Sequence, residues 1–159
     1  MTNRLHFSIS IFFFIIILIT SCTGIDVFER NVPIPNHQWQ SEFQPVINFD
    51  ITDTSSTYNV YIVMRHTNKY GFNNIWVKAK VKEPGSEQWK TGQYDLPLAD
   101  NNRGWLGSGM DDIFEHRILV QQQTKFLKPG KYEYSIQQIM REDPLPEVMN
   151  IGLRIEKAP

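Results

Sequence analysis

The residue best placed to undergo chemistry is Cys22, the only cysteine in the chain of 159 residues. It follows a short start that contains Arg4, an apolar run at residues 7–19, and the small residues Thr20 and Ser21. A basic start, an apolar core and small residues before the cut are typical of an export signal. A cysteine directly after that cut is where bacterial lipoproteins take their lipid. The sequence therefore predicts a signal peptide over residues 1–21 and acylation of Cys22.

Two other interpretations of residues 1–21 are a retained transmembrane helix and an ordinary secretory signal. A helix needs about 20 apolar residues to cross about 30 Å of hydrocarbon, whereas the run at residues 7–19 supplies 13. An ordinary signal leaves unexplained why the single cysteine falls at the first position of the mature chain. Two or three acyl chains hold a protein stably on a membrane, since each buried methylene contributes about 0.8 kcal/mol.

No metal site is predicted. Three histidines lie outside the signal, His37, His66 and His116, and none is within short-loop or helix-turn spacing of another. The run from Asp100 to Trp105 begins like a calcium loop, but an EF-hand needs an oxygen ligand at position 5 and glycine at position 6, where this chain has Gly104 and Trp105. A turn explains that run better.

Catalytic residues are equally weakly indicated. Asp111 and Asp112 are adjacent, so in a strand they point to opposite faces and make a poor acid–base pair. Ser108 lies between two glycines but lacks the G-x-S-x-G spacing of a nucleophile elbow. No G-x-x-x-x-G-K phosphate-binding loop is present. The sequence therefore predicts that the protein is not an enzyme and needs no cofactor.

The chain that remains after cleavage, 138 residues, has the size of one domain. With Cys22 acylated it has no thiol for a disulfide, so its fold must be stabilised by the core alone. It carries 15 basic and 17 acidic side chains, and this balance argues against nucleic acid as a partner.

Residues 22–45 contain three prolines and no apolar period, which predicts a lipidated N-terminus and a tether that becomes an N-terminal edge. The aromatic residues Phe28, Trp39 and Phe43 indicate that its later part docks on the domain. Residues 46–159 then form the folded domain. Period-two alternation is clear at residues 58–65, 75–82 and 149–156, and no helical period appears. Pro129 and Gly130 predict a tight turn that joins two strands in a hairpin. The fold class is therefore all-β: an antiparallel β-sandwich of seven to eight strands, with a jelly roll as one arrangement.

The candidate partner-binding residues are Trp105, Leu106, Asp112 and Trp76. The first three belong to a glycine-rich loop at residues 100–112, and loops held on a rigid scaffold are usual places for binding. The alternative for Trp105 is an apolar plug at the end of the sandwich. Trp76 shares a strand face with three lysines. This face either contacts anionic lipid headgroups or sugars, or is a solvated face that protects an edge strand from aggregation.

Several short motifs, taken together in this order and spacing, carry a family resemblance. They include Tyr58-Asn59-Val60-Tyr61, Arg65-His66-Thr67-Asn68, Gly104-Trp105-Leu106-Gly107, Gly130-Lys131-Tyr132 and Gly152-Leu153-Arg154-Ile155-Glu156. With the lipoprotein signal, this combination resembles the GldH gliding motility lipoproteins of Bacteroidetes along the whole mature chain.

The resemblance implies a non-enzymatic lipoprotein of the cell envelope, required for gliding and associated with the type IX secretion machinery. Its partners would be the membrane, through the lipid on Cys22, and other envelope proteins. The charge balance argues against nucleic acid, and no small-molecule ligand is expected. Thr23, Gly24 and Ile25 follow the cysteine where an acidic cluster would resemble a surface-export signal, which favours an outer-membrane lipoprotein facing the periplasm. The alternative function is a carbohydrate or peptidoglycan binding module, which needs two or more exposed, roughly coplanar tryptophans.

Overall fold

The structure is a computed structural model that describes residues 27–159. The predicted signal and Cys22 lie outside these residues. Within them the chain forms a 3₁₀ turn, Pro35–His37, and thirteen strands. The strands are β1 (Val27–Pro33), β2 (Gln38–Trp39), β3 (Val46–Ile51), β4 (Tyr58–Thr67), β5 (Asn74–Lys82), β6 (Trp89–Pro97), β7 (Ala99–Asp100), β8 (Gly104–Trp105), β9 (Ser108–Met110), β10 (Ile113–Thr124), β11 (Gly130–Gln138), β12 (Leu145–Pro146) and β13 (Val148–Lys157).

Two antiparallel sheets form a sandwich. One has five strands in the order β1-β13-β4-β10-β9, and the other has four in the order β3-β11-β5-β6. The pairs β2–β12 and β7–β8 form two small sheets. The prediction of an all-β sandwich is confirmed. The strand number exceeds seven to eight because the middle section and the N-terminal segment add short strands that alternation does not reveal.

Alternating residues of both sheets fill the core, as the period-two pattern predicts. Ile62 of β4, Leu153 of β13 and Ile75 of β5 are each fully buried. One end of the sandwich is filled by rings, since Phe49 stacks on Tyr132 at 5.3 Å and Phe126 packs against both. We call this the anchor end, because β1 begins there opposite Glu156. The opposite end, closed by residues 68–73 and 98–112, is the loop end.

Residues 27–45 belong to the domain, where the sequence predicts a tether. Strand β1 pairs with β13 over its whole length, from Val27 opposite Glu156 to Pro33 opposite Asn150. Trp39 is fully buried and its indole N–H donates to the Phe43 carbonyl at 2.9 Å. The three prolines are compatible with this arrangement, because β1 is an edge strand and Pro33 ends it, where a missing N–H is tolerated. The ordered part therefore begins before residue 46, with the edge and the docked aromatic residues that the sequence indicates.

The hairpin predicted at Pro129 and Gly130 is also wrong. Gly130 does have a positive φ of 121°, but β10 and β11 belong to different sheets. Residues 125–129 cross from one sheet to the other, and Phe126 turns inward to pack on Phe49 and Tyr58. The two strands therefore lie in separate layers, with Phe126 packed between them.

Candidate partner-binding site at the loop end

The short strands β7 and β8 form a small hairpin at the loop end. Asp100 accepts hydrogen bonds from the backbone N–H groups of Asn102 and Arg103 at 2.9 and 3.1 Å, which lowers the pKa of its carboxyl group. Gly104 follows with a φ of 71°, a conformation that favours glycine. The residues that suggested a calcium loop therefore build a turn that presents Trp105.

Trp105 closes the loop end of the sandwich. Its half-buried indole meets the His66 ring edge-on at 4.5 Å, and Phe114 lies 5.7 Å away. Tyr70 completes the cluster at 6.4 Å, and its own hydroxyl donates to the Asn74 carbonyl. These contacts place Trp105 where the plug interpretation expects it.

Two histidines lie directly beneath this cluster. His66 and His116 are 0% and 3% exposed, and their Nε2 atoms are 2.9 Å apart. Nδ1 of His66 lies 2.7 Å from the Thr67 carbonyl oxygen, and a carbonyl only accepts, so Nδ1 carries the proton of His66. Nε2 of neutral His66 is then the acceptor, and His116 donates from its Nε2.

Burial lowers the pKa of both histidines, and for His116 the neighbouring His66 adds to this, bringing its pKa to about 4. Both rings are therefore neutral at pH 7. A charged pair would place two cations within hydrogen-bond distance in an apolar environment. Nothing in the local sequence pairs these two histidines across 50 residues. The period-two alternation does indicate that both side chains point inward. His66 is in phase with the inward residues of β4, and His116 is in phase with Ile118 and Val120.

Gly107 allows the loop to approach strand β10 closely. A Cβ at this position would come within 2.5 Å of the Glu115 carbonyl oxygen and 2.9 Å of Cε1 of His116. No side chain fits there unless the backbone moves. The loop therefore lies directly on the histidine pair, and its position depends on the packing below it.

Leu106 projects from this closely packed loop. Its backbone N–H donates to the Leu98 carbonyl at 2.8 Å, while its side chain is 41% exposed. Beside it an open groove of about 590 Å³ runs along β10, past Ile118 and the exposed Leu119. An exposed apolar residue next to a groove, on a fixed backbone, is suited to contact a partner.

Asp112 ties two loops together. Its carboxylate accepts from Nδ2 of Asn68, and its carbonyl accepts from the Asn68 N–H, both at 2.7 Å. These bonds hold the turn after β4 against the start of β10. Trp105, Leu106 and Asp112 are thus brought together at the loop end.

Trp76 lies around the corner, on the outer face of the four-stranded sheet. It is 42% exposed and shares a groove of about 320 Å³ with Phe72, Met140 and Arg141. Its backbone N–H points to the Met140 sulfur at 3.2 Å. Phe72 also packs against Tyr70 at 5.8 Å, so the groove beside Trp76 borders the ring cluster of the loop end.

Trp89 is the other exposed tryptophan, at 38%. It lies opposite Lys82 of β5. Lys82 is six residues after Trp76 and points to the same outer face, so both indoles are on one surface. Six residues of strand, at about 3.3 Å each, place them roughly 20 Å apart. The Lys82 ammonium lies 5.2 Å above the Trp89 ring and pairs with Glu133.

The described residues contain no group of three or more His, Cys, Asp or Glu side chains that could hold a metal ion. Across residues 27–159 no helix has the length and apolar character needed to cross a bilayer.

Comparison with protein-family models gives a match to the GldH lipoprotein model over residues 26–155. The chain belongs to the GldH lipoprotein family. The similarity extends over the sandwich, including β1, the loop end and β13. Membership agrees with the predicted lipoprotein nature of the chain.

Two curated relatives of the GldH family match nearly their whole length. The gliding motility lipoprotein GldH homolog of Christiangramia forsetii is 33% identical, with 98% of each chain covered. The gliding motility lipoprotein GldH of Flavobacterium johnsoniae is 26% identical over 89% of this chain and 91% of the relative. Among solved structures, a carbohydrate-binding module specific for non-crystalline cellulose aligns with a TM-score of 0.44 and 9% identity, covering 87% of this chain and 78% of that chain.

Proposed function

We propose that this protein is a non-enzymatic lipoprotein of the cell envelope that serves gliding motility by binding other envelope proteins. The observation that carries the proposal is the match to a GldH homolog of a gliding lipoprotein family over 98% of the chain. Association with the type IX secretion machinery, and an outer-membrane position facing the periplasm, belong to the same proposal.

The loop end is the proposed contact surface. Leu106 is exposed there, and Leu119 is exposed farther along β10 beside the same groove. Trp105, Gly107 and Asp112 hold the loop on the sheet. A partner that buried the two leucines would gain apolar contact without first having to order the loop.

The anchor is proposed to hold the domain close to the membrane. Cys22 precedes Val27, the first residue of β1, by five residues, which can span at most about 17 Å. Because β1 begins at the anchor end, the loop end points away from the lipid. The contact surface is therefore presented to the aqueous compartment.

Cys22→Ala is expected to abolish acylation and membrane retention, because no other residue of the chain can take the lipid. Incorporation of radiolabelled palmitate and membrane fractionation measure both effects. Thr23→Ala is the matched control and should remain labelled. Acyl label on Cys22→Ala would refute the assignment of the anchor.

The motility role is tested separately by deleting the gene, and a deletion strain that spreads on agar like the wild type would contradict it.

A second candidate function, glycan binding, is favoured by Trp76 and Trp89 on one sheet face. Aromatic faces can stack on sugar rings, and two of them define a track for a chain. Purified peptidoglycan and polysaccharides should then retain the protein, and both Trp76→Ala and Trp89→Ala should release it. Met110→Ala, at an exposed position of the other sheet, is the control. Retention of both tryptophan variants would reject this function.

A further inference from the structure

Two small cavities lie side by side between the sheets, at the sandwich edge formed by β6 and the second half of β10. Each has a volume of about 160 Å³. They share Val81, Lys90, Gln121 and Tyr134 as lining residues. Strand β9 pairs only with Ile113–Glu115, so among residues 27–159 no strand pairs with this edge of β10 beyond Glu115.

Small side chains and a strand irregularity produce these cavities. Ala79 of β5 and Gly92 of β6 are opposite each other in register, which leaves no large side chain at that point. A Cβ on Gly92 would meet the Tyr94 hydroxyl at 3.0 Å, so the Tyr94 ring covers the glycine. The register of β10 shifts at Gln121, and such a bulge bends the strand locally.

Tyr134 is the polar residue inside this space. It is 4% exposed, and its hydroxyl is the one buried side-chain polar atom in residues 27–159 without a hydrogen-bond partner. Burial raises the pKa of Tyr134, with Tyr94 contributing, so the hydroxyl is a neutral donor. Tyr132, its neighbour two positions earlier, donates to the Lys128 carbonyl at 2.9 Å. A buried donor without an acceptor is costly and calls for an explanation.

The remaining walls define what would fit. Phe49, Val60, Phe126 and Ile155 are apolar. Four charged side chains, Lys80, Glu83, Lys90 and Lys125, line the opening. Lys90 pairs with Glu83, Lys80 donates to Gln44 and Lys125 is exposed to solvent, so the apolar walls and not these charges define the interior. A cavity of about 150 Å³ holds a molecule of the size of benzene.

We infer that the cavities beside Tyr134 form a binding site for a compact, uncharged molecule, or the end of a larger one, that has an apolar body and an oxygen acceptor for the tyrosine hydroxyl. This site is separate from the loop end and independent of the role in gliding. It also differs from the expectation in the sequence analysis that the protein binds no small-molecule ligand.

The test uses the full-length lipoprotein in detergent micelles and two probes of nearly identical shape. Cyclohexanone offers a carbonyl acceptor, and methylenecyclohexane replaces that oxygen with CH₂. Cyclohexanone should cause saturable shifts of the amide resonances of Gly92 and Gln121. Tyr134→Phe should weaken it about fivefold, the effect of one neutral hydrogen bond, and should leave the affinity for methylenecyclohexane unchanged.

Tyr132→Phe is the matched control and should leave the affinity ratio of the two probes unchanged. Tyr134→Phe should have a thermal midpoint at or above that of the wild type, since it removes an unpaired hydroxyl, whereas Tyr132→Phe should have a lower one. Equal cyclohexanone affinity of the wild type and Tyr134→Phe would overturn the inference. The absence of saturable shifts with cyclohexanone would also overturn it, because water alone would then fill the site. A lower thermal midpoint for Tyr134→Phe than for the wild type would overturn it as well.

Discussion

Replacing Leu106 with aspartate is expected to stop gliding while leaving the fold intact. The side chain is 41% exposed and the backbone N–H that holds the loop to Leu98 is retained, so the free energy of unfolding should change by no more than about 0.5 kcal/mol. A carboxylate beside Leu119 would, in contrast, have to be desolvated in an apolar contact. Spreading on agar and urea unfolding measure the two effects.

Trp105→Ala is the comparison that separates packing from binding. Truncation of a fully buried tryptophan costs about 3–5 kcal/mol, and Trp105 is half-buried against His66 and Phe114, so we expect a loss of about 2 kcal/mol. Leu119→Asp, in the same groove, should behave like Leu106→Asp. Wild-type spreading by both leucine variants would remove the loop end as the contact surface, and unfolding of Leu106→Asp would make the loop a part of the core.

Acid is expected to destabilise the domain through the buried histidine pair. The pKa of His116 is about 4 in the folded protein and about 6.5 in an unfolded chain. Between these two pH values the unfolded state therefore binds more protons than the folded state. The contribution of neutral His116 to the free energy of unfolding is complete above about pH 6.5 and is lost as the pH falls towards about 4. The loss is about 3 kcal/mol for His116. The lowered pKa of His66 acts in the same direction.

Urea unfolding at intervals between pH 7.5 and 4.5 measures this loss. His116→Gln keeps a donor for Nε2 of His66 but cannot titrate, so its stability should depend less on pH in this range. Carboxylates such as Glu29, whose pKa is lowered by Arg117 and Arg154, add their own loss at lower pH in both proteins. Parallel curves for the wild type and His116→Gln would show that the pair is not responsible.

The alternation of residues predicted the faces of the long strands but not which strands meet. Ile151, Leu153 and Ile155 are buried as their spacing predicts. His66 and His116 occupy inward positions by the same rule, yet only the pairing of β4 with β10 brings them together. Turn residues after β10 predict a hairpin because they are a local signal, whereas the crossing between sheets depends on contacts of Phe126 with the opposite sheet. The local sequence likewise does not predict which tryptophans are buried, because only tertiary contacts place Trp39 in the core and Trp89 on the surface.

The pairing of β1 with β13 decides how the domain would respond to tension. A pull on Val27 directed away from the loop end acts along the axis of β1, whereas the hydrogen bonds to β13 are perpendicular to it. Seven residue pairs, from Val27–Glu156 to Pro33–Asn150, then resist together in shear. A strand attached in the opposite direction would peel away one pair at a time. With the proposed lipid on Cys22 at one end and the proposed partner at the other, this geometry suits a link that carries mechanical load.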